Sequence, residues 1–152
     1  MKFSAEDYNI LSYLLQKNFM SYEQAVTWVY AQYTEQGIDP FVEKLSLASD
    51  VAEMIECISN TYQVYGEPSK EFLAGEAAKK YLKAELSLYS TVSRILFDLD
   101  LELPEDERQE LYIAEDYFGW HDSAESQAVV HVEPLFDKYR PIYERAVSKF
   151  SI

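Results

Sequence analysis

Four helix-start signals constrain the fold of this chain more than any other feature. Ser4 precedes two acids, Ser21 and Asp50 each have a Gln or Glu three residues later, and Asp39 precedes a proline. Ser and Asp side chains accept hydrogen bonds from the first turn of a helix, and proline fits the first helical position. Apolar residues three or four apart follow each signal, which is helical periodicity. The sequence therefore predicts an all-α fold.

The distribution of turn residues supports this prediction. The 152 residues contain only four glycines and five prolines, whereas an all-β protein of this size needs many more turn residues. Ser69 opens the longest apolar pattern, which runs to about Phe97 and has apolar residues on more than one side. We predict a single domain over residues 1–152, a bundle of about six helices around this long central helix.

Individual residues predict where several of the helices begin and end. Gly66 is predicted to end the helix that begins after Asp50, and Gly75 to mark a break near the start of the long helix. A last helix is predicted from Pro134 to Phe150. If the fold contains one small β-hairpin, we expect it near residues 128–133, whose β-branched run favours strand.

The charge of the chain limits its partners. The net charge is −14 and the isoelectric point is about 4.4. The electrostatic field of this negative charge repels nucleic acid and anionic lipid, so neither nucleic acid nor a membrane is expected as a partner. The same field attracts a basic protein, although acidity can also serve solubility alone. Acids among residues 1–7, the absence of a long apolar run and the single Cys57 predict a cytoplasmic protein without disulfides.

Most of the net negative charge lies in residues 98–125, which we call the acidic segment. It contains eleven acids against one base, Arg108, and aromatic residues are interleaved with the acids. Acids around Tyr or Trp suit a protein interface in which the aromatics anchor and the acids form the rim. A solvated helix face is the alternative. The residues predicted to bind a partner are Glu102, Glu105, Asp106, Glu107, Glu110, Tyr112, Glu115, Asp116, Tyr117, Trp120 and Asp122.

No spacing in the sequence matches known catalytic or metal-binding motifs. The nucleophile elbow, the glycine-rich phosphate loop, the zinc and calcium patterns and the helical Glu-x-x-His pair are all absent. We therefore expect no catalytic residue, no cofactor and no metal. Cys57 is expected to be a buried structural thiol, and His131 a buried or half-buried histidine with its hydrogen bonds satisfied. The alternative is a helical enzyme, or a protein that binds a small ligand or metal, with a site around His121.

Two stretches carry a family resemblance. They are YNILSYLLQKNFMSYEQAVTWVY at residues 8–30 and LYIAEDYFGW at residues 111–120. Both resemble a small bacterial family of uncharacterised helical proteins, which is similar to the acidic immunity proteins of contact-dependent and other polymorphic toxin systems. The resemblance implies a protein that neutralises a cognate toxin domain by direct binding and is not an enzyme. It implies no catalytic residues and leaves the oligomeric state open.

Overall fold

The computed structural model describes residues 3–118 and 124–151 and confirms the all-α prediction. These residues form eight α-helices and one π-helical turn, with no strand beyond an isolated bridge between Thr34 and Gly37. The fold divides into two compact units. The terminal unit contains the chain up to Pro68 and the residues from Ala146 onward, and the middle unit is Ser69–Arg145. The expectation of a single domain stays a prediction.

The terminal unit contains four helices with the predicted start signals. They are α1 (Ala5–Gln16), α2 (Tyr22–Ala31), α3 (Pro40–Leu45) and α4 (Val51–Tyr62). Ser4 and Ser21 each form a complete capping box. The Asp39 carboxylate accepts from the Phe41 amide, 2.8 Å away. The Asp50 carboxylate caps α4, but the Glu53 carboxylate accepts from the Ser49 amide instead of closing the box on Asp50.

Aromatic side chains fill the core of the terminal unit. The Tyr8 ring stacks on Tyr62, with centroids 4.7 Å apart, and meets Phe41 edge to face. A second group places Trp28 against Phe150, and the Trp28 indole N–H donates to the Lys149 carbonyl at 3.0 Å. Part of the aromatic content of the sequence therefore lies in this core, where Tyr8, Trp28 and Phe150 are buried.

The middle unit is built from the remaining helices. They are α5 (Lys70–Leu82), α6 (Leu88–Ser93), the π turn (Arg94–Asp98), α7 (Glu105–Tyr117) and α8 (Ala124–Ser148), which belongs to this unit as far as Arg145. A Cβ on Gly75 would lie 2.3 Å from the Tyr139 carbonyl oxygen, so α5 and α8 approach each other closely there. Gly75 is thus a packing residue inside a continuous helix, and the predicted break at this position was wrong.

The prediction of one long central helix was also wrong. The helix from Ser69 ends at Leu82, and Ala84 adopts the left-handed conformation with φ 59°. The Glu85 amide donates to the Lys80 carbonyl at 2.8 Å, which satisfies a free carbonyl at the helix end. Ser87 then caps α6 through the Ser90 amide. The apolar periodicity continues across this break, because both helices face one core.

Three further boundaries differ from the sequence predictions. Residues 128–133 are helical and not a hairpin, and α8 begins ten residues before Pro134, which lies inside it. Ala128 and Val132, four residues apart, are both completely buried, so packing overrides the strand preference of the β-branched run. Helix α4 ends at Tyr62, and Gln63 instead of Gly66 takes the left-handed position, with φ 58°.

None of the described helices combines the length and apolar composition that crossing a lipid bilayer requires.

Candidate functional site

The lead-in to α7 explains the alternation of acids and leucines in the acidic segment. Leu99 and Leu101 are buried in the middle unit, whereas the three acids between and beside them are exposed. Lys70 Nζ donates to the Asp100 carbonyl at 3.1 Å and fixes the backbone there. The leucines therefore hold the segment in place while Asp98 and Glu102 face solvent.

The first turn of α7 concentrates negative charge. Pro104 is the N-cap residue, and Glu105, Asp106 and Glu107 follow directly. Carboxylates are favourable at this end of a helix, because the free backbone N–H groups give it partial positive charge. The acids of this turn thus have a local structural role that is compatible with any role in binding.

Two acids of α7 make contacts within the middle unit. Glu107 Oε1 accepts from Lys138 Nζ at 2.8 Å, and this hydrogen bond raises the pKa of Lys138. Glu110 Oε2 lies 2.6 Å from His131 Nδ1, and the Tyr117 ring stacks on His131 with centroids 5.7 Å apart. His131 is therefore half-buried and hydrogen-bonded, as expected. These contacts join α7 to α8, so Glu107 and Glu110 are already occupied inside the chain.

A cleft of about 350 Å³ lies beside these contacts. The Glu107 Oε2 atom is buried and has no hydrogen-bond partner among the described residues. The side chains around the cleft come from α7 and α8: Asp106, Glu107, Glu110, Val130, His131, Pro134 and Leu135. A carboxylate that orients an imidazole is an arrangement that can transfer protons, but no Ser, Thr, Cys or Lys side chain lines the cleft as a nucleophile.

The other predicted partner-binding residues differ in exposure. Glu102, Glu105, Asp106 and Asp116 are exposed, and Tyr112 is 43% exposed. Residues 105, 112 and 116 share one side of α7, since their spacings of seven and four residues are close to whole turns. Glu115 and Tyr117 are half-buried. Trp120, Asp122 and the alternative centre His121 lie outside the described residues.

Exposed apolar residues beside Tyr112 were missed in the sequence. Phe97 is 53% exposed, and its ring meets Tyr112 nearly perpendicularly with centroids 6.4 Å apart. Tyr89 is 54% exposed and meets Phe118 in the same way at 5.3 Å, and Ile113 is 39% exposed. The π turn contributes to the exposure of Phe97. It contains about one residue more per turn than an α-helix, which rotates Phe97 relative to the α-helical periodicity. Periodicity alone could not have found Phe97.

In the part of the chain that the structure describes, metal-binding and nucleophilic side chains do not cluster into a further candidate site. No three His, Cys, Asp or Glu residues there could hold a metal ion together. Cys57 is half-buried in α4, and burial raises the pKa of its thiol, with Lys44 and Thr61 acting in the opposite direction. A raised pKa keeps the thiol protonated and weakly nucleophilic.

No protein-family model matches this chain, and no curated protein or solved structure matches it either. The resemblance to acidic immunity proteins therefore stays a prediction.

Proposed function

We propose that this chain binds a basic protein, a toxin domain in the first instance, and neutralises it by direct contact. The observation that carries the proposal is a set of acids with no ion pair to the rest of the described chain. Glu102, Glu105, Asp106 and Asp116 are all exposed, and Tyr112 lies on the same side of α7 as two of them. We call these four acids the free acids.

The free acids differ energetically from Glu107 and Glu110. The latter two interact with Lys138 and His131 inside the middle unit, and neutralising them would change stability as well as binding. The free acids form no such ion pair with residues 3–118 or 124–151, so their charge is available to a second molecule. Long-range attraction between opposite charges accelerates association, and it is screened over a Debye length of about 8 Å in physiological salt.

Neutralisation by binding requires neither a cofactor nor turnover. The protein only needs to be folded before it meets the partner and to cover the part of the partner that acts on its target. The basic surface of a domain that acts on nucleic acid is one such target, because a protein with net charge −14 competes for the same cationic residues. Inhibition should therefore be stoichiometric, with one chain blocking a fixed number of partner molecules.

A second candidate function uses the cleft between α7 and α8. Its His131–Glu110 pair and its volume of about 350 Å³ are compatible with a small ligand. A small-ligand protein or enzyme with a site in this cleft would show a ligand-dependent rise in Tm. That rise would disappear in His131→Ala, whereas neutralising Glu102, Glu105 and Asp116, which do not line the cleft, would leave it unchanged.

The experiment compares two charge variants with equal net charge. The face variant carries Glu102→Gln, Glu105→Gln, Asp106→Asn and Asp116→Asn. The control variant neutralises four exposed acids of the terminal unit: Glu35, Glu43, Glu56 and Glu67. Wild type and both variants are immobilised, and proteins retained from the native host are identified by mass spectrometry. The retained protein is then expressed alone, and growth is measured with and without each variant.

The proposal predicts a basic protein that is retained by wild type and by the control variant but only weakly by the face variant. Expression of this protein should inhibit growth, and only the two binding forms should restore it. Equal retention by both variants would show that the net charge and not the free acids governs binding. A retained protein that is acidic, or harmless when expressed, would contradict the proposed neutralisation.

A further inference from the structure

Two pairs of aromatic rings lie beside the free acids, and three of the four rings are exposed, while Phe118 is half-buried. The pairs Tyr89–Phe118 and Phe97–Tyr112 bridge two elements, of which one is α6 with the π turn and the other is α7. Tyr89 precedes Phe97 in its element, whereas Phe118 follows Tyr112 in α7, so the two elements run antiparallel at this seam. We call these four rings the aromatic seam.

The length of the aromatic seam follows from helix geometry. A rise of about 1.5 Å per residue separates Tyr89 from Phe97 by about 12 Å, and Tyr112 from Phe118 by about 9 Å. Side chains at positions i and i+7 of a helix are about 10.5 Å apart on one face. The two ring pairs therefore match two apolar anchors that are two turns apart on a partner helix.

The charge around the seam determines which helix fits. Residues 88–118 contain nine acids and only two bases, Arg94 and Arg108. Asp98 borders Phe97 in sequence, and Glu105 and Asp116 share the side of α7 that carries Tyr112. These carboxylates would repel an acidic helix. A neutral helix would place no opposite charge beside them at the edge of the contact. Lysine or arginine residues beside the two anchors would instead meet carboxylates.

We infer that the aromatic seam binds a cationic amphipathic helix of the partner protein, with apolar side chains at i and i+7 against its two ring pairs. This inference rests on the proposed function for the basic character of the partner. It adds the anchors and the secondary structure of the bound segment. Of the predicted anchors Tyr112, Tyr117 and Trp120, it keeps Tyr112 and adds Phe97, Tyr89 and Phe118.

Two synthetic peptides provide the probe. The first is an 18-residue amphipathic helix with Leu at i and i+7 on one face, Lys beside these two positions, and Ala and Gln elsewhere. The second has the same composition in scrambled order, so that it has equal charge but no apolar face. Binding of both is measured by isothermal titration calorimetry to wild type, to Phe97→Ala/Tyr112→Ala and to the face variant. Tyr30→Ala/Tyr33→Ala is the matched control, since these stacked tyrosines of the terminal unit are 60% and 46% exposed.

The inference predicts that the helical peptide binds wild type at least about 10-fold more tightly than the scrambled peptide. Phe97→Ala/Tyr112→Ala should remove this difference, and Tyr30→Ala/Tyr33→Ala should preserve it. The face variant should weaken both peptides, which tests the proposed function separately. If the face variant weakens both peptides but the seam substitutions change nothing, the seam inference fails and the proposed function survives.

Two further readouts keep the test decisive. Amide chemical shifts of the wild-type protein should change at residues 89–97 and 112–118 on titration with the helical peptide, whether or not the variants fold. Shift changes confined to residues 22–33 would overturn the inference. Sedimentation equilibrium measures self-association, and a wild-type dimer that Phe97→Ala dissociates would show that a second copy covers the seam instead.

Discussion

Lys138 Nζ of α8 lies 2.8 Å from Glu107 Oε1 of α7, and this ion pair separates the acids of α7 into two groups. Glu107 and Glu110 contact Lys138 and His131 and stabilise the middle unit, whereas Glu105 and Asp116 face solvent. From the sequence alone, all of these acids were equally candidates for binding a partner. The distinction decides which acids can be neutralised in a binding experiment without breaking a side-chain contact of the described chain.

The first prediction concerns this ion pair. Lys138→Gln should lower the free energy of unfolding by about 0.5–1 kcal/mol at pH 7, because Lys138 is largely exposed and its pair is partly screened. The Glu107 hydrogen bond raises the pKa of Lys138 above its usual value of 10.5. The stabilisation is therefore complete below the unfolded pKa, and it is lost as the pH rises through the folded pKa.

Urea unfolding of wild type and Lys138→Gln at pH 7 and above pH 10.5 measures this effect. The difference between the two proteins should shrink at the higher pH. Lys83→Gln is the control, since Lys83 is an exposed lysine of the same unit, and it should change stability little. A difference that stays constant with pH would mean that the pair contributes nothing.

The second prediction concerns the close approach of α5 and α8. Gly75→Ala should destabilise the protein by about 1–3 kcal/mol, because its Cβ would lie 2.3 Å from the Tyr139 carbonyl oxygen and 2.9 Å from the Tyr143 Cβ. Gly66→Ala is the matched control, since its Cβ would meet nothing within 4 Å. Thermal unfolding of both variants measures the contrast. Equal Tm values would show that the two helices can separate without cost.

The third prediction concerns the break that the sequence did not reveal. Ala84→Gly should stabilise the protein by about 0.5–1 kcal/mol, because Ala84 has φ 59° and glycine adopts this conformation without the penalty of a Cβ. The same substitution at Ala52, inside α4, should destabilise by about 1 kcal/mol. Chemical denaturation that shows Ala84→Gly to be as harmful as Ala52→Gly would indicate an uninterrupted helix.

The fourth prediction concerns acid stability. Burial alone would raise the pKa of Asp7, but hydrogen bonds from Lys149 and Ser4 outweigh it and lower this pKa below 3.8. Its stabilisation is therefore complete above the unfolded value and is lost as the pH falls through the folded pKa. Asp7→Asn should cost about 1 kcal/mol at pH 7 and progressively less below pH 4. Urea unfolding over pH 2–7 measures this, and a cost that grows in acid would contradict it.

Local signals in the sequence predicted helix starts well. Ser4, Ser21 and Asp39 cap the helices that they were expected to cap, because these hydrogen bonds involve residues only two or three apart. Helix ends were harder to predict, since Gln63 and Ala84 adopt left-handed conformations that glycine would normally signal. Residues 128–133 form a helix because distant residues bury Ala128 and Val132, which local preference cannot show.

The candidate site was predictable in composition but not in geometry. The sequence showed that the acids are concentrated around Tyr112. It could not show that Glu107 and Glu110 turn toward Lys138 and His131, since those contacts span 31 and 21 residues. It also could not show that Phe97 lies beside Tyr112, because that position depends on the π turn.

The association rate constant with the partner tests the central claim most directly. It is measured by stopped flow for wild type, the face variant and the control variant, from about 0.02 to 0.5 M salt. We predict that wild type and the control variant associate fast at low salt and slow down together as salt rises, because electrostatic steering is screened. The face variant should be slow throughout and nearly independent of salt. Identical rates and salt dependence for the face variant and the control variant would contradict the claim that this face of α7 binds the partner.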